Sequence, residues 1–274
     1  NRCDSEGRGA LAKPDKLAAV MDDYAADPLG FVLDAYQWGE GPLEKHSGPR
    51  DWQREGLAAI GEHLRNPATR CTPLRMAVAS GHGVGKSAFI SMVLNWGMST
   101  CPDTRAVVTA NTDLQLRTKT WPEVAKWARL SVTSDWWAVP ATALYEKGNE
   151  KSWRADASPW SEHNTEAFAG LHNEGKRIIL VFDEASKIAD KVWEVAEGAL
   201  TDEDTEIIWL AFGNPTQNTG RFRECFRRYR HLWKTRQIDS RTVEGTNKDY
   251  LAEFVATHGE DSDIVKVRVR GIFP

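Results

Sequence analysis

Residues 74–94 read Leu74-Arg75-Met76-Ala77-Val78-Ala79, then Ser80-Gly81-His82-Gly83-Val84-Gly85-Lys86-Ser87, then Ala88-Phe89-Ile90-Ser91-Met92-Val93-Leu94. The first run is short and apolar and predicts a buried strand. The last predicts a helix. Between them lies a glycine-rich turn that ends in Gly-Lys-Ser where the helix would start. In that context a P-loop can cradle phosphate. Glycines let backbone N–H groups converge on phosphate oxygens without side chains in the way. The helix N-terminus adds partial positive charge at the same spot. Lys86 would then reach the β- and γ-phosphates of ATP, and the Ser87 hydroxyl would ligate Mg²⁺. The usual pattern has glycine at the first position, where this chain has Ser80. A glycine-rich strand-to-helix turn with an exposed lysine is the plain alternative, and a downstream carboxylate motif separates the two.

Such a motif is present: Ile178-Ile179-Leu180-Val181-Phe182-Asp183-Glu184. Five apolar residues in a row predict a strand buried on both faces, as in a parallel sheet. Two carboxylates at its C-terminal end are costly unless they have a cation or a proton to handle. In open α/β sheets that end is where ligands bind. Asp183 would hold Mg²⁺ through its water shell, and Glu184 would orient and deprotonate an attacking water. An N-capping acid pair before a helix from Asp190 is the alternative. A third buried strand, Glu206 to Phe212, ends in Gly213-Asn214-Pro215-Thr216. Asn214 would contact the γ-phosphate or the attacking water, or else be a plain Asn-Pro turn.

Outward from these anchors, apolar spacing predicts helices over 14–26, 28–36 and 51–64, the last capped by Asp51. Residues 1–13 read as a loose terminus, and 39–48 as a loop. Trp52-Gln53 stands at a helix start before the P-loop, where a glutamine can offer donor and acceptor to an adenine edge. Arg105–Ala110 predicts a second strand, followed by one helix over 113–130 that carries Arg117. Segments 141–145 and 152–155 read as two edge strands. Between Arg221 and Arg236 lie Arg221, Arg223, Arg227, Arg228, Arg230, Lys234 and Arg236, interleaved with aromatics and opposed only by Glu224. That stretch suits a phosphate-backbone contact surface, or a solvated helix face with an edge strand. A helix over 247–258 follows, and the acids Glu260–Asp263 read as cap chemistry.

Composition is that of a globular protein, with 41% hydrophobic and 27% charged residues. A net charge of −4 leaves any nucleic-acid contact to a local basic surface. The four cysteines lack metal-ligand spacing and read as reduced thiols of a cytosolic protein. No apolar run approaches membrane-spanning length, and no signal peptide is visible. The twelve tryptophans read as packing residues.

Trp52-Gln53, Ser80–Ser87, Val181-Phe182-Asp183-Glu184-Ala185-Ser186 and Gly213-Asn214-Pro215-Thr216, in that order, resemble the ATPase domain of the large terminase subunit of tailed bacteriophages. Phe168-Ala169-Gly170-Leu171-His172, Asp239-Ser240-Arg241 and Gly271-Ile272-Phe273-Pro274 add to the likeness, which spans roughly residues 49–274. The resemblance implies an α/β, three-layer P-loop NTPase with a mainly parallel central sheet. Its class has an additional strand and a catalytic glutamate, and it carries a small helical lid subdomain. The implied division is a lid segment at 1–48, the ATPase core at 49–240 and a helical linker at 241–274. It further implies a Mg²⁺-dependent ATP-hydrolysing motor that drives double-stranded DNA into a procapsid. Such a motor works in the host cytoplasm, as a homo-oligomeric ring, with portal protein and small terminase subunit as partners. Departure at the first P-loop glycine is common in that family, which suits Ser80. The place where the family often has an arginine, four residues before the lysine, holds His82. The adenine-binding glutamine maps to Gln53 and the coupling motif to Asn214. An arginine acting in trans is expected, with Arg117 first and Arg221 or Arg223 next. The family's nuclease domain would need clustered acids that are not seen before Pro274, so DNA cleavage is not expected of this chain. A helicase-like ATPase and a nucleotide-gated docking module with little activity alone are the alternatives.

Overall fold

The strands follow the apolar runs. They are β1 Leu74–Ser80, β2 Arg105–Thr109, β3 Trp137–Ala138, β4 Ala143–Glu146, β5 Arg154–Ala157, β6 Arg177–Phe182, β7 Glu206–Gly213 and β8 Lys234–Ile238. In the computed structural model, which describes residues 15–160, 168 and 170–274, they form one eight-stranded sheet in the order β3-β4-β5-β2-β6-β7-β1-β8. From β5 to β8 every pairing is parallel, and β3 and β4 add an antiparallel end. The additional strand is β7, which lies between the P-loop strand β1 and the acid-bearing strand β6. That is the mainly parallel α/β sheet expected. The segments read as two edge strands are β4 and β5, but neither is the edge. The two-residue β3, too short to show a pattern, occupies that place. The proposed loose terminus and Ala169 lie outside the described residues.

Alternation along the strands builds two cores. Ile178, Leu180 and Phe182 pack on one face with Trp193, Trp209 and Trp233. Ile179 and Val181 pack on the other with Phe89, Val93 and Trp121, as the two-residue period of a strand requires. All six residues of β6 and all eight of β7 are buried. The tryptophans are core residues, every one buried except the half-buried Trp38.

The helices in chain order are α1 Asp15–Asp23, α2 Pro28–Ala35, α3 Asp51–Arg65, α4 Lys86–Thr100, α5 Asp113–Gln115, α6 Trp121–Leu130, α7 Asp190–Glu197, α8 Arg221–Cys225, α9 Lys248–His258 and α10 Asp263–Val265. The segment before the P-loop is tied to the sheet layer. Trp96 Nε1 donates to the Tyr24 carbonyl at 2.8 Å. The buried Arg177 donates to the Ala25 carbonyl at 2.7 Å and pairs with Glu206 at 2.7 Å. Residues from α1 and α2 thus share one core with β1 and α4.

Two helical readings need correction. The cap of α3 is Arg50, in extended backbone at φ −62°, ψ 156°, and Asp51 is already helical. The single helix over 113–130 is broken by a π turn, Leu116–Thr120, where Trp121 N–H reaches back to the Leu116 carbonyl. Two local features favour the wider turn. Pro122 has no N–H to offer the Thr118 carbonyl. The Thr118 hydroxyl also donates to the Leu114 carbonyl at 2.6 Å, a back-bond that bends helices. The cap reading of 260–263 holds in part: Ser262 caps α10 and Asp263 is the acid in its first turn, while Glu260 pairs with Arg241.

Candidate active site

The P-loop needs left-handed backbone at Gly83 (φ 74°) and Gly85 (φ 91°), which glycine adopts freely. Its start is clamped from outside. Gly81 N–H donates to the Ile238 carbonyl at 3.0 Å, and His82 N–H to the Arg268 carbonyl at 2.8 Å. Ser240 Oγ donates to the His82 carbonyl at 2.7 Å. A Cβ at Gly81 would fall 2.4 Å from the Val269 carbonyl oxygen, so only glycine fits. His82 itself is exposed, and its backbone polar groups are turned to this clamp.

The inner side is strapped by α3. Trp52 Nε1 donates to the Val84 carbonyl at 2.8 Å. Gln53 Nε2 donates to the Gly85 carbonyl at 2.9 Å, while its Oε1 accepts from Arg50 N–H at 2.9 Å. Arg50 Nη1 donates to the Gly83 carbonyl at 2.8 Å. With both ends of its amide engaged, and 2% exposed, Gln53 braces the P-loop in this arrangement. Reading a base would require it to share or release one of these bonds. Carbonyls 83–85 face α3 through these bonds. Among the described residues, the amides of Gly83, Val84 and Gly85 find no acceptor in the protein.

Lys86 and Ser87 open α4, beside a cleft of about 400 Å³ that continues past Gln53 to Trp38, His46, Glu123 and Trp127. Lys86 Nζ donates to Ser80 Oγ at 3.1 Å. The serine that breaks the glycine pattern therefore supplies the lysine's partner. Burial pushes the Lys86 ammonium below the ordinary lysine range, and attraction to Asp183 and Glu184 offsets part of that. The charges of the acid pair are thus felt at Lys86. Ser87 keeps its hydroxyl at the helix start; its carbonyl accepts from Ser91 Oγ at 2.7 Å.

Asp183 is 4% exposed at the end of β6. Burial pushes its carboxyl above the usual carboxylate range, while a hydrogen bond from Thr120 and the charge of Lys86 pull it back. Glu184 stands in left-handed backbone at φ 51°. For a non-glycine residue this costs on the order of 1 kcal/mol, and such strain concentrates at functional sites. Asn214, at the end of β7, donates to the Ser80 carbonyl at 2.7 Å, and its own carbonyl accepts from Ser186 Oγ at 2.5 Å. Asn214 therefore links the P-loop to the turn after the acid pair. The donors present suit a hard cation that keeps most of its waters and shares phosphate oxygens: one buried carboxylate and one hydroxyl at a helix start. Among the described residues, no three His, Cys, Asp or Glu side chains cluster as a closed metal cage.

Arg117 is not drawn into this site. It is exposed on the π turn and pairs with Asp113 at 2.6 Å. Arg221 pairs with Glu197 and lies 4.6 Å over the Tyr229 ring. Arg223 bonds Asn218 and stacks 4.6 Å over Phe273. Arg236 pairs with Glu55. Arg227, Arg228 and Arg230, in the turn after α8, and Lys234, at the start of β8, remain exposed, so the basic stretch is a short helix, a turn and an edge strand with four exposed cations. Arg50, Thr120 and the clamp at 268–271 were missed. The partners that tie them to the site lie at least 33 residues away in the chain, and no local pattern announces them.

No family model matches the chain. It is 26% identical over 211 residues to a protein of Enterobacteria phage P7 described as "Probable terminase, large subunit", covering 72% of this chain and 42% of that one. The chain thus spans less than half the length of that relative. Among solved structures, the large terminase of bacteriophage HK97 matches with TM-score 0.59 at 12% identity, over 91% of this chain and 55% of that one. The large terminase of a thermophilic bacteriophage in complex with ADP matches with TM-score 0.53 at 11% identity, over 73% of this chain and 48% of that one. Motif order, sequence similarity and sheet topology agree: this chain is similar in sequence to a phage protein described as a probable large terminase subunit and shares its fold with solved large terminases.

Proposed function

We propose that the chain is a Mg²⁺-dependent ATPase motor that drives double-stranded DNA into a viral procapsid. The observation that carries this reading is that three strand ends lie side by side at the P-loop, where Asn214 bonds both the Ser80 carbonyl and the turn after the acid pair. The P-loop follows β1, the acid pair follows β6, and Asn214 follows β7. The free amides of 83–85, the start of α4 and the Lys86 ammonium bind the β- and γ-phosphates. Asp183 and Ser87 hold Mg²⁺, which when bound neutralises charge on those phosphates. Glu184 accepts a proton from water as the water oxygen bonds to the γ-phosphorus and the ADP oxygen leaves. Asn214 holds the P-loop and the acid turn in register through that step. The base lies along the cleft toward Trp38 and Trp127. Arg117, exposed on the π turn, is the first candidate for action on a neighbouring subunit in a ring. Arg227 and Arg228, with Arg221 and Arg223 behind them, face the DNA backbone. Portal protein and small terminase subunit are the expected partners at the procapsid.

The test pairs nucleotide binding with DNA binding. Lys86→Ala should lose nucleotide affinity and turnover together. Charge reversal at Arg227 and Arg228 should weaken duplex binding and lower its salt slope by about one for each phosphate no longer neutralised. Full ATPase activity in Lys86→Ala would reject the site. An unchanged salt slope would remove the DNA role from the basic stretch.

A further inference from the structure

Thr120 closes the π turn and is fully buried, though it is polar. Its Oγ1 donates to Asp183 Oδ2 at 2.6 Å, across 63 residues of sequence. The other carboxylate oxygen, Oδ1, accepts from Glu184 N–H at 3.0 Å. Each oxygen of Asp183 therefore has one fixed donor. The carboxylate plane is set by the protein before any cation arrives, and each oxygen keeps lone-pair capacity for the water shell of a hard ion.

The backbone around Thr120 explains why it reaches. An unbroken α-helix would place this side chain about a third of a turn away. The π turn, with its Trp121-to-Leu116 bond, swings residue 120 under the end of β6. Single π turns inside α-helices recur at functional sites. The same helical path continues into α6, whose Glu123 and Trp127 line the cleft. One element thus touches the metal carboxylate at its start and the far wall of the cleft one to two turns later.

We propose that Thr120 is a positioning residue for Mg²⁺. By holding Asp183 it makes the cation and the nucleotide bind as one unit, and α6 carries that link to the cleft wall. The proposal rests on the reading of Asp183 as the Mg²⁺ residue. Groups that orient a metal-binding side chain typically change metal affinity ten- to hundredfold when removed, so about that range is expected here.

The experiment is a titration of this chain with a fluorescent ADP analogue, with and without MgCl₂. It compares wild type, Thr120→Val, Thr120→Ala and Thr120→Ser, with thermal melts as the folding control. In wild type, Mg²⁺ tightens binding of the analogue. In Thr120→Val the Mg²⁺-free affinity stays as in wild type, and the Mg²⁺ concentration for half-maximal tightening rises about tenfold or more. Thr120→Ser, which keeps the hydroxyl, restores the wild-type value. If Thr120→Val melts early, Thr120→Ala and Thr120→Ser carry the comparison. An unchanged Mg²⁺ requirement in folded Thr120→Val or Thr120→Ala overturns the positioning role and leaves the site reading intact. Equal loss with and without Mg²⁺, unrescued by serine, also overturns it, by showing a role in packing. No Mg²⁺ effect in wild type would reject the Asp183 reading and this inference with it.

Discussion

The ammonium of Lys86 lies 3.1 Å from the hydroxyl of Ser80, to which it donates. Ser80 is fully buried and stands where the general P-loop pattern has glycine. Its backbone carbonyl, meanwhile, accepts from Asn214. One residue therefore parks the lysine with its side chain and receives the neighbouring strand with its backbone. If a phosphate draws Lys86 away from that hydroxyl, one hydrogen bond is lost, and Ser80 then competes mildly with nucleotide.

Ser80→Ala removes the competing acceptor and leaves the carbonyl in place. Its nucleotide affinity should rise by roughly three- to tenfold, which corresponds to about 1 kcal/mol for one hydrogen bond. The nucleotide-free protein should lose stability of the same order. Isothermal titration and thermal melts of both proteins check this. A tenfold weaker affinity would mean that the hydroxyl serves the nucleotide and does not compete with it.

Gly81→Ala tests the clamp. The added methyl would lie 2.4 Å from the Val269 carbonyl oxygen and 2.8 Å from that of Arg268, both backbone atoms. Overpacking of this kind costs about 1–3 kcal/mol. Denaturant unfolding should show that loss, and hydrogen exchange should show faster exchange at His82, whose amide bonds Arg268. Wild-type stability would mean that residues 268–271 yield without cost.

Acid should loosen the same clamp. Burial alone would raise the Asp239 carboxyl, but hydrogen bonds from the Arg241 side chain and backbone outweigh it and hold the group below its ordinary value. A carboxyl lowered in the folded state adds stability that is complete above its unfolded pKa, about 3.8. That stability is lost as pH falls through the lowered folded value. Asp239→Asn should therefore be less stable than wild type at pH 7, with the gap closing at pH 3. Urea unfolding at the two pH values measures it. A gap that stays constant would show that the Asp239 charge contributes nothing.

Much of this was legible in the chain. The strands β1, β2, β6 and β7 are largely apolar runs, three of them ending at or before a glycine or an acid, and each was readable within a residue or two. Lys86, Asp183, Glu184 and Asn214 all follow strand ends on their shared C-terminal edge. What was not legible depends on long-range partners. Gln53 was readable as a glutamine before the P-loop, but its two backbone bonds to Arg50 and Gly85 appear only in three dimensions. Thr120 sits in what reads as an ordinary amphipathic helix, and only the π turn aims it at Asp183. In the 268–271 segment the carbonyl of Arg268, and not its charge, bonds the P-loop at His82. Arg117 was chosen for its charge and place. Among the described residues of a single chain it pairs with Asp113, and any trans role would need a neighbour.

The central claim is that the acid pair faces a bound triphosphate across Lys86, with Glu184 as the proton acceptor. Steady-state ATPase of Glu184→Gln, measured beside nucleotide affinity, tests it most directly. The amide keeps the shape and the strained backbone but cannot take the proton. Turnover should fall roughly 10²- to 10⁴-fold, while affinity stays within about threefold. Turnover equal to wild type in Glu184→Gln would contradict the account.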